Sequence, residues 1–406
     1  MEKVIVVGAS HGGAQIVASL RQQGWEGEIL LIGDEPWLPY HRPPLSKTFL
    51  AEDKPIDAML IRPAESYSNA NITTLLGKRV TAIDPEKLEV SLDDGAIHSG
   101  SHIVLATGGT PRRLPLPGAD LTGVNVLRDA NDVLAIKERA KAGNNAVIIG
   151  GGYIGLETAA SLRKMGVAVT LLEAEDRILA RVTGPTISAF YQRVHGEEGV
   201  NIITGARIAC IEGDSEVSAV LLQDGTRIDA DLVVMGVGIN PNTELAEAAG
   251  LKIDNGIVVD ETAKTSANNI YAIGDCTQHY NPLYQRWIRL ESIQNATDQA
   301  KVAAAAICGK EASYNALPWF WSDQYDIKLQ IAGLSHGFDE IVIRGSLDEG
   351  RSFAAFYLQA GKLIACDAVN RPMEFMVAKR LLTEQKAVDS AALSDESVDI
   401  KTLLQA

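Results

Sequence analysis

Cysteine is scarce and scattered. The 406-residue chain has four, Cys210, Cys276, Cys308 and Cys366, with none before residue 210 and no CxxC pair. That spacing excludes a disulfide framework and the usual metal-ligand sets, and the compartment it fits best is a reducing cytoplasm. Basic residues are also in short supply. Against 52 Asp and Glu there are 37 Lys and Arg, a formal charge of −15, which opposes general binding to nucleic acid or to an anionic membrane. No apolar run reaches the roughly 18 residues that span a bilayer. The N-terminus does not read as a leader, because Lys3 to Val7 already has the pattern of a core strand. The rest, 46% apolar and 22% charged, is ordinary for a globular protein, and the chain is long enough for two or three domains.

What the chain does have is a dinucleotide-binding unit between Asn145 and Glu173. Ala146 to Ile149 reads as a buried parallel strand, and Gly150, Gly152 and Gly155 open a helix in the GxGxxG spacing. The first glycine permits a tight turn, the second lets the backbone approach a pyrophosphate, and the third lets helix and strand pack closely. A diphosphate can then rest on the unpaired N–H groups of the helix start. The following strand, Ala168 to Leu172, ends on Glu173, eighteen residues past Gly155, near the roughly 20-residue spacing at which an acid meets ribose hydroxyls.

A second fingerprint opens the chain. Lys3 to Val7 leads into GASHGG, with Gly8, Gly12 and Gly13 but Ser10 in the middle position, and the strand Glu28 to Ile32 runs into Asp34, the expected ribose ligand. The segments that follow the two fingerprints also correspond, as in an internal repeat. Strands near Val80 to Ile83 and Leu88 to Leu92 with a turn at Asp94-Gly95 match strands near Arg207 to Ile211 and Val217 to Leu222 with a turn at Asp224-Gly225. Each meander precedes a buried strand that ends in a glycine-rich turn, at Ala106-Thr107-Gly108 and at Gly236-Val237-Gly238. From Pro318 the pattern changes to strands near Ile327 to Ala332, Glu340 to Arg344, Phe353 to Leu358 and Leu363 to Val369, then a helix from Pro372. The fold expected is α/β, with two Rossmann-type domains carrying antiparallel meanders and a C-terminal α+β domain. Its expected boundaries are 1–114 and 242–317 for the first nucleotide domain, 115–241 for the second, and 318–406 for the last.

The motifs GASHGG, PPLSK (43–47), LATGG (105–109), GGGYIGLE (150–157), YAIGDC (271–276), RWIRLESIQNA (286–296) and PWFWSDQY (318–325) occur in this order. In them the chain resembles the two-dinucleotide flavoprotein reductases, and more closely the ferredoxin and putidaredoxin reductases of bacterial oxygenase systems. The resemblance implies FAD bound by the first half together with 242–317, and NADH bound by the inserted second half. The FAD-binding residues it implies are Gly8, Ser10, Gly12, Gly13, Asp34, Arg42, Pro43, Lys47, Val80, Ala106, Thr107, Gly108, Arg128, Gly274, Asp275, Glu291, Ser292, Ile293 and Trp321. Those implied for NADH are Gly150, Gly152, Tyr153, Ile154, Gly155, Glu173, Gly236, Val237 and Gly238.

The resemblance further implies a role in catalysis for Lys47, beside the reactive flavin nitrogen, with Glu157 as its partner. It places Asp275 on the ribityl chain, Arg128 near the FAD diphosphate, Trp321 at the flavin edge, and the helix starting after Glu291 with its positive end under the flavin. The activity implied is transfer of electrons from NADH to a two-iron ferredoxin that serves an oxygenase. A disulfide reductase or NADH peroxidase would need a redox cysteine in the first nucleotide domain, and there is none before Cys210. A signalling flavoprotein related to apoptosis-inducing factor is the alternative from another class. Because such ferredoxins are acidic and this chain is too, a local basic patch is required. Arg289, Lys379 and Arg380 are the expected contributors, and helical spacing could put Arg371 and Lys379 on one face.

Overall fold

The computed structural model describes residues 2–405. Its contacts divide the chain into two compact units. One comprises Met1–His41, Pro55–Thr110 and Ile239–Ala316; the other comprises Arg42–Lys54, Pro111–Gly238 and Leu317–Ala406.

The first unit is built on a five-stranded parallel sheet in the order Ile270–Ala272, His102–Leu105, Lys3–Val7, Glu28–Gly33, Ile72–Leu76. Its central strand, KVIVV, has four consecutive buried residues, as expected for a strand covered on both faces. The first fingerprint helix, His11–Gln23, follows and is ended by Gly24 in the left-handed region. Against it lies the helix Ile293–Ile307, whose Ala300, Ala303 and Ala304 pack with Ile16, Val17 and Leu20. Small side chains there let the two helices approach closely. Ser292 caps the second of them by accepting a hydrogen bond from the Asn295 amide at 3.1 Å.

The second unit repeats the plan. Its parallel sheet runs Val200–Ile203, Ala168–Leu172, Asn145–Ile149, Leu232–Met235, Val124–Val126, again with the fingerprint strand in the middle. The correspondence extends to the three-stranded meanders, Val80–Asp84, Glu89–Leu92, Ile97–Ser99 in one unit and Ile208–Glu212, Ala219–Leu222, Arg227–Asp229 in the other. Both carry a bulge in the first pair, between Val80 and Ala82 and between Ile208 and Cys210. A shared irregularity of this kind supports an internal repeat better than the strand count does.

The second unit also holds a five-stranded antiparallel sheet ordered Trp319–Gln324, Ile327–Gly333, Lys362–Val369, Phe353–Gln359, Glu340–Gly345. The helix Pro372–Glu384 covers it with Phe375, Ala378, Leu381 and Leu382. The sequence pattern begins these strands at Ile327; the structure adds Trp319–Gln324 at the edge. Elements with no counterpart in the sequence reading include the helices Ala130–Arg139 and Pro185–Glu197, the parallel strands Ile72–Leu76, Val124–Val126 and Val200–Ile203, and a four-stranded sheet in the first unit, Ile253–Asp254, Gly256–Val259, Thr277–Asn281, Arg286–Ile288. No helix among the described residues is long and apolar enough to cross a membrane.

Candidate functional site: two nucleotide cradles and a buried ion pair

The two glycine-rich turns have the same geometry, each within its own unit. A Cβ on Gly8 would come 2.1 Å from the Ala106 carbonyl oxygen, and one on Gly13 would come 2.0 Å from that of Gly8. In the second turn, Gly150 and Gly155 are constrained alike, by Gly236 at 2.5 Å and Gly150 at 2.1 Å. The middle glycine differs, because a Cβ on Gly152 would meet nothing within 4 Å. The fold itself makes no demand for glycine there. The open space lies at the start of the helix Tyr153–Lys164, which has no side-chain cap and no acid in its first turn. An uncapped helix start under open space suits a diphosphate. The first fingerprint helix likewise has no acid in its first turn, and Ser10 stands in the middle position as its N-cap.

Glu173 closes over the second turn. Its Oε2 accepts a hydrogen bond from the Gly151 amide at 2.7 Å and its Oε1 one from the Glu175 amide at 2.9 Å. Each oxygen keeps a lone pair for a ribose hydroxyl. Arg177, which could have favoured a 2′-phosphate, is committed to Thr183 O, Ser188 Oγ and Ala180 O. Arg181 lies near the turn, 3.7 Å from where a Cβ on Gly238 would stand. In the first unit Asp34 is exposed and pairs with Arg79 at 3.0 Å, while Glu35 accepts from Tyr40 Oη at 2.5 Å.

The remaining residues of the set fall into small groups. In the first unit Thr107 and Asn242 exchange hydrogen bonds of 2.8 and 2.9 Å, and the Asn242 amide donates to Gly108 O. Gly274, in the left-handed region, donates its amide to Gln299 Oε1 at 2.8 Å directly before Asp275. Val80 is buried at the start of its meander. Glu291 pairs with Arg289 at 2.6 Å, directly before Ser292 and Ile293 start their helix. In the second unit the Arg42 guanidinium donates to Arg128 O, Pro43 opens a 3-10 turn, and Tyr153 lies 5.0 Å from Phe320 while Ile154 is exposed. Val237 lies between Gly236 and Gly238 in the turn after Leu232–Met235. Trp321 stacks on Trp319 at 5.5 Å.

The most concentrated chemistry of the second unit is at Glu157, on the second fingerprint helix and only 3% exposed. Lys47 Nζ lies 2.5 Å from its Oε2, and Ser46 Oγ donates to the same oxygen at 2.6 Å. Ser322 Oγ donates to Oε1 at 2.6 Å. Pro43 and Pro44 set the tight turn that brings Ser46 and Lys47 to the carboxylate. A buried carboxylate persists only when paired and hydrogen-bonded, and here three donors meet that condition. Ser46 and Ser322 are absent from the residues expected from sequence. Their only signal is their place inside PPLSK and PWFWSDQY.

The family model described as pyridine nucleotide-disulphide oxidoreductase matches residues 2–300. The chain belongs to that family. A second model, described as reductase C-terminal, matches residues 319–404. Within the pyridine nucleotide-disulphide oxidoreductases the chain is 45% identical to putidaredoxin reductase CamA of Pseudomonas putida, over 100% of this chain and 97% of that one. It is 40% identical to rhodocoxin reductase of Rhodococcus erythropolis, over 98% and 93%. The solved covalent putidaredoxin reductase–putidaredoxin complex contains a chain matching at a TM-score of 0.96 and 45% identity, covering 100% of this chain and 98% of that one. Despite the family's name, the four cysteines here are free, and burial pushes the Cys276 thiol up, away from the reactive thiolate.

One buried acid outside the cradles has a measurable consequence. Asp367 Oδ2 accepts hydrogen bonds from Thr183 Oγ1 at 2.5 Å and Tyr357 Oη at 2.8 Å, and burial raises its pKa from 3.8 to about 6. A raised carboxyl pKa means that the folded state holds the proton more tightly. Its contribution to stability is therefore greatest below the unfolded value and is lost as pH rises from about 4 to about 6. The gap corresponds to about 3 kcal/mol. Melting temperatures of wild type and Asp367→Asn should diverge in favour of the variant as pH rises from about 4 to about 6 and stay apart above that. A difference independent of pH would contradict this.

Proposed function

We propose that this chain is an FAD-containing, NADH-dependent ferredoxin reductase, which passes electrons one at a time to a two-iron ferredoxin serving a monooxygenase or dioxygenase. The observation that carries the reading is the presence of two dinucleotide cradles in a chain without a cysteine before Cys210. Two nucleotides without a thiol relay leave an external carrier as the outlet for electrons. The likeness to putidaredoxin reductase, solved in complex with putidaredoxin, supports a ferredoxin as that carrier. Bound FAD supplies the conversion between the two-electron chemistry of NADH and the one-electron chemistry of an iron–sulfur centre. The chain's own residues bind and orient: Gly8 to Gly13 and Asp275 hold the flavin nucleotide, and Gly150 to Gly155 with Glu173 hold NADH. Lys47, fixed by Glu157, presents a cation at the reactive edge. The protein's four free cysteines fit a reducing cytoplasm. Denaturing the purified protein and chromatographing the released cofactor tests the flavin assignment. FAD is expected; FMN, or failure to take up any flavin on reconstitution, would defeat it.

The acceptor is expected to dock through a local basic patch, because only charges within about 8 to 10 Å act strongly at physiological salt. Of the expected contributors, Arg289 pairs with Glu291 at 2.6 Å and Arg380 with Glu384 at 2.7 Å. Arg371 is turned to Glu374 and Glu396. Lys379 instead holds its ammonium 4.8 Å from the Trp319 ring centroid, so it is the best single candidate. Charge reversal at Lys379 should lower kcat/KM for the ferredoxin and weaken its salt dependence, with a small neutral quinone reduced as before. Unchanged ferredoxin turnover at all ionic strengths would place the docking surface elsewhere.

A further inference from the structure

Glu157 is the first member of a longer buried chain. Ser322 Oγ, which donates to Glu157 Oε1, accepts from Gln324 Nε2 at 3.1 Å. Gln324 Oε1 lies 2.8 Å from His195 Nε2, and His195 Nδ1 lies 3.0 Å from Tyr325 Oη. Ser322, Gln324 and His195 are buried. They come from the edge strand Trp319–Gln324 and the helix Pro185–Glu197, both outside the elements that local sequence pattern picks out.

Donor and acceptor chemistry fixes the sense of the whole chain. An ionised Glu157 only accepts, so the single hydroxyl proton of Ser322 points at it. Ser322 must then accept, which turns the Gln324 NH2 toward it and the Gln324 carbonyl toward His195. That carbonyl requires a proton on His195 Nε2, which leaves Nδ1 to accept from Tyr325. Reversing the amide would set lone pairs of Ser322 and Glu157 against each other. Burial supports the neutral ring, lowering the His195 pKa to about 4.

We propose that Ser322, Gln324 and His195 are positioning residues for flavin reduction: their one-way chain of donors holds the Glu157 carboxylate in a single rotamer and thereby fixes the Lys47 ammonium. The inference rests on the reading that Lys47 and Glu157 serve reduction of the flavin by NADH. The backbone alone could place Glu157, but it supplies no donor to Oε1; that donor is the Ser322 hydroxyl. Because a hydrogen bond to a charged group is worth more than a neutral one, its loss should be felt about tenfold in rate.

Two measurements test this. Nitrogen-15 spectra of histidine-labelled protein, with His195 assigned by its loss in His195→Phe, should show the Nε2–H tautomer at neutral pH. Ser322→Ala and Glu157→Gln, which release the chain from its fixed sense, should shift those signals. An Nδ1–H or cationic ring, or signals indifferent to both variants, would overturn the proposal. In stopped-flow reduction by NADH, Ser322→Ala should lower the limiting rate about tenfold with little change in NADH affinity. Ser322→Thr, which keeps the hydroxyl, should recover most of it. His195→Phe should be slowed in the same sense, and it decides alone if Ser322→Ala fails to fold. Lys47→Ala is the control. If it is slow while Ser322→Ala and His195→Phe match wild type, the chain is only structural. If Lys47→Ala is also fast, the underlying reading of the ion pair fails instead.

Discussion

Replacing Lys47 by alanine is expected to slow reduction of the bound flavin by NADH about a hundredfold, the usual consequence of deleting one preorganised charge or donor from a reacting centre. The effect should fall on the limiting rate, with NADH affinity changed much less. The geometry makes the lysine hard to replace. Its ammonium is 2.5 Å from a carboxylate that is 3% exposed, whereas the lysine side chain itself is 20% exposed. Glu157 is thus the buried partner of the pair and Lys47 the one partly open to solvent. Removing the lysine also leaves a buried carboxylate with serine donors but no counter-charge, a class of change that destabilises by about 3 to 5 kcal/mol. Melting temperature should fall along with the rate. Glu157→Gln helps separate the two effects, because the charge it leaves unpaired is the partly solvated Lys47 ammonium and not a buried carboxylate. A Lys47→Ala protein that reduces its flavin at the wild-type rate would show that the pair is structural.

The second large effect concerns the choice of cofactor. NADH should exceed NADPH in kcat/KM by about 10- to 150-fold, the range given by losing hydrogen bonds to a charged group, about 1.5 to 3 kcal/mol. Glu173 accepts amide hydrogen bonds on both oxygens, so it is held with its charge facing the fingerprint turn. A 2′-phosphate would meet that charge, with Glu175 and Asp176 close by in sequence. Of the two arginines that could have offset it, Arg177 is occupied by backbone carbonyls and Ser188. Arg181 remains beside Gly238. Glu173→Ala should narrow the preference, and Arg181→Ala should widen it. Equal specificity constants in the wild type would refute the role given to Glu173.

Much of this was legible before the fold was known, for a physical reason. Fingerprint units are local: strand, turn, helix and strand lie within about thirty residues, and the strand read as Ala168 to Leu172 has those bounds in the structure. The meanders were legible from alternation and from the turns at Gly95 and Gly225, both with positive φ. The strand Trp319–Gln324 was not, because WFWSDQ lacks a clean alternation and four of its residues are only partly buried. The pairing of Lys47 with Glu157 spans 110 residues and was reached through resemblance, since no local pattern specifies it. The contact of Ser322 with Glu157 spans 165 residues, and nothing around either residue distinguishes this serine from an ordinary strand serine.

Anaerobic mixing of the purified, FAD-loaded protein with NADH and a two-iron ferredoxin from an oxygenase system tests the central claim most directly. The account predicts rapid bleaching of the flavin by NADH, followed by reduction of two ferredoxin molecules per NADH consumed, with NADPH far slower. Flavin that bleaches while the ferredoxin stays oxidised, across ferredoxins of several oxygenase systems, would contradict it.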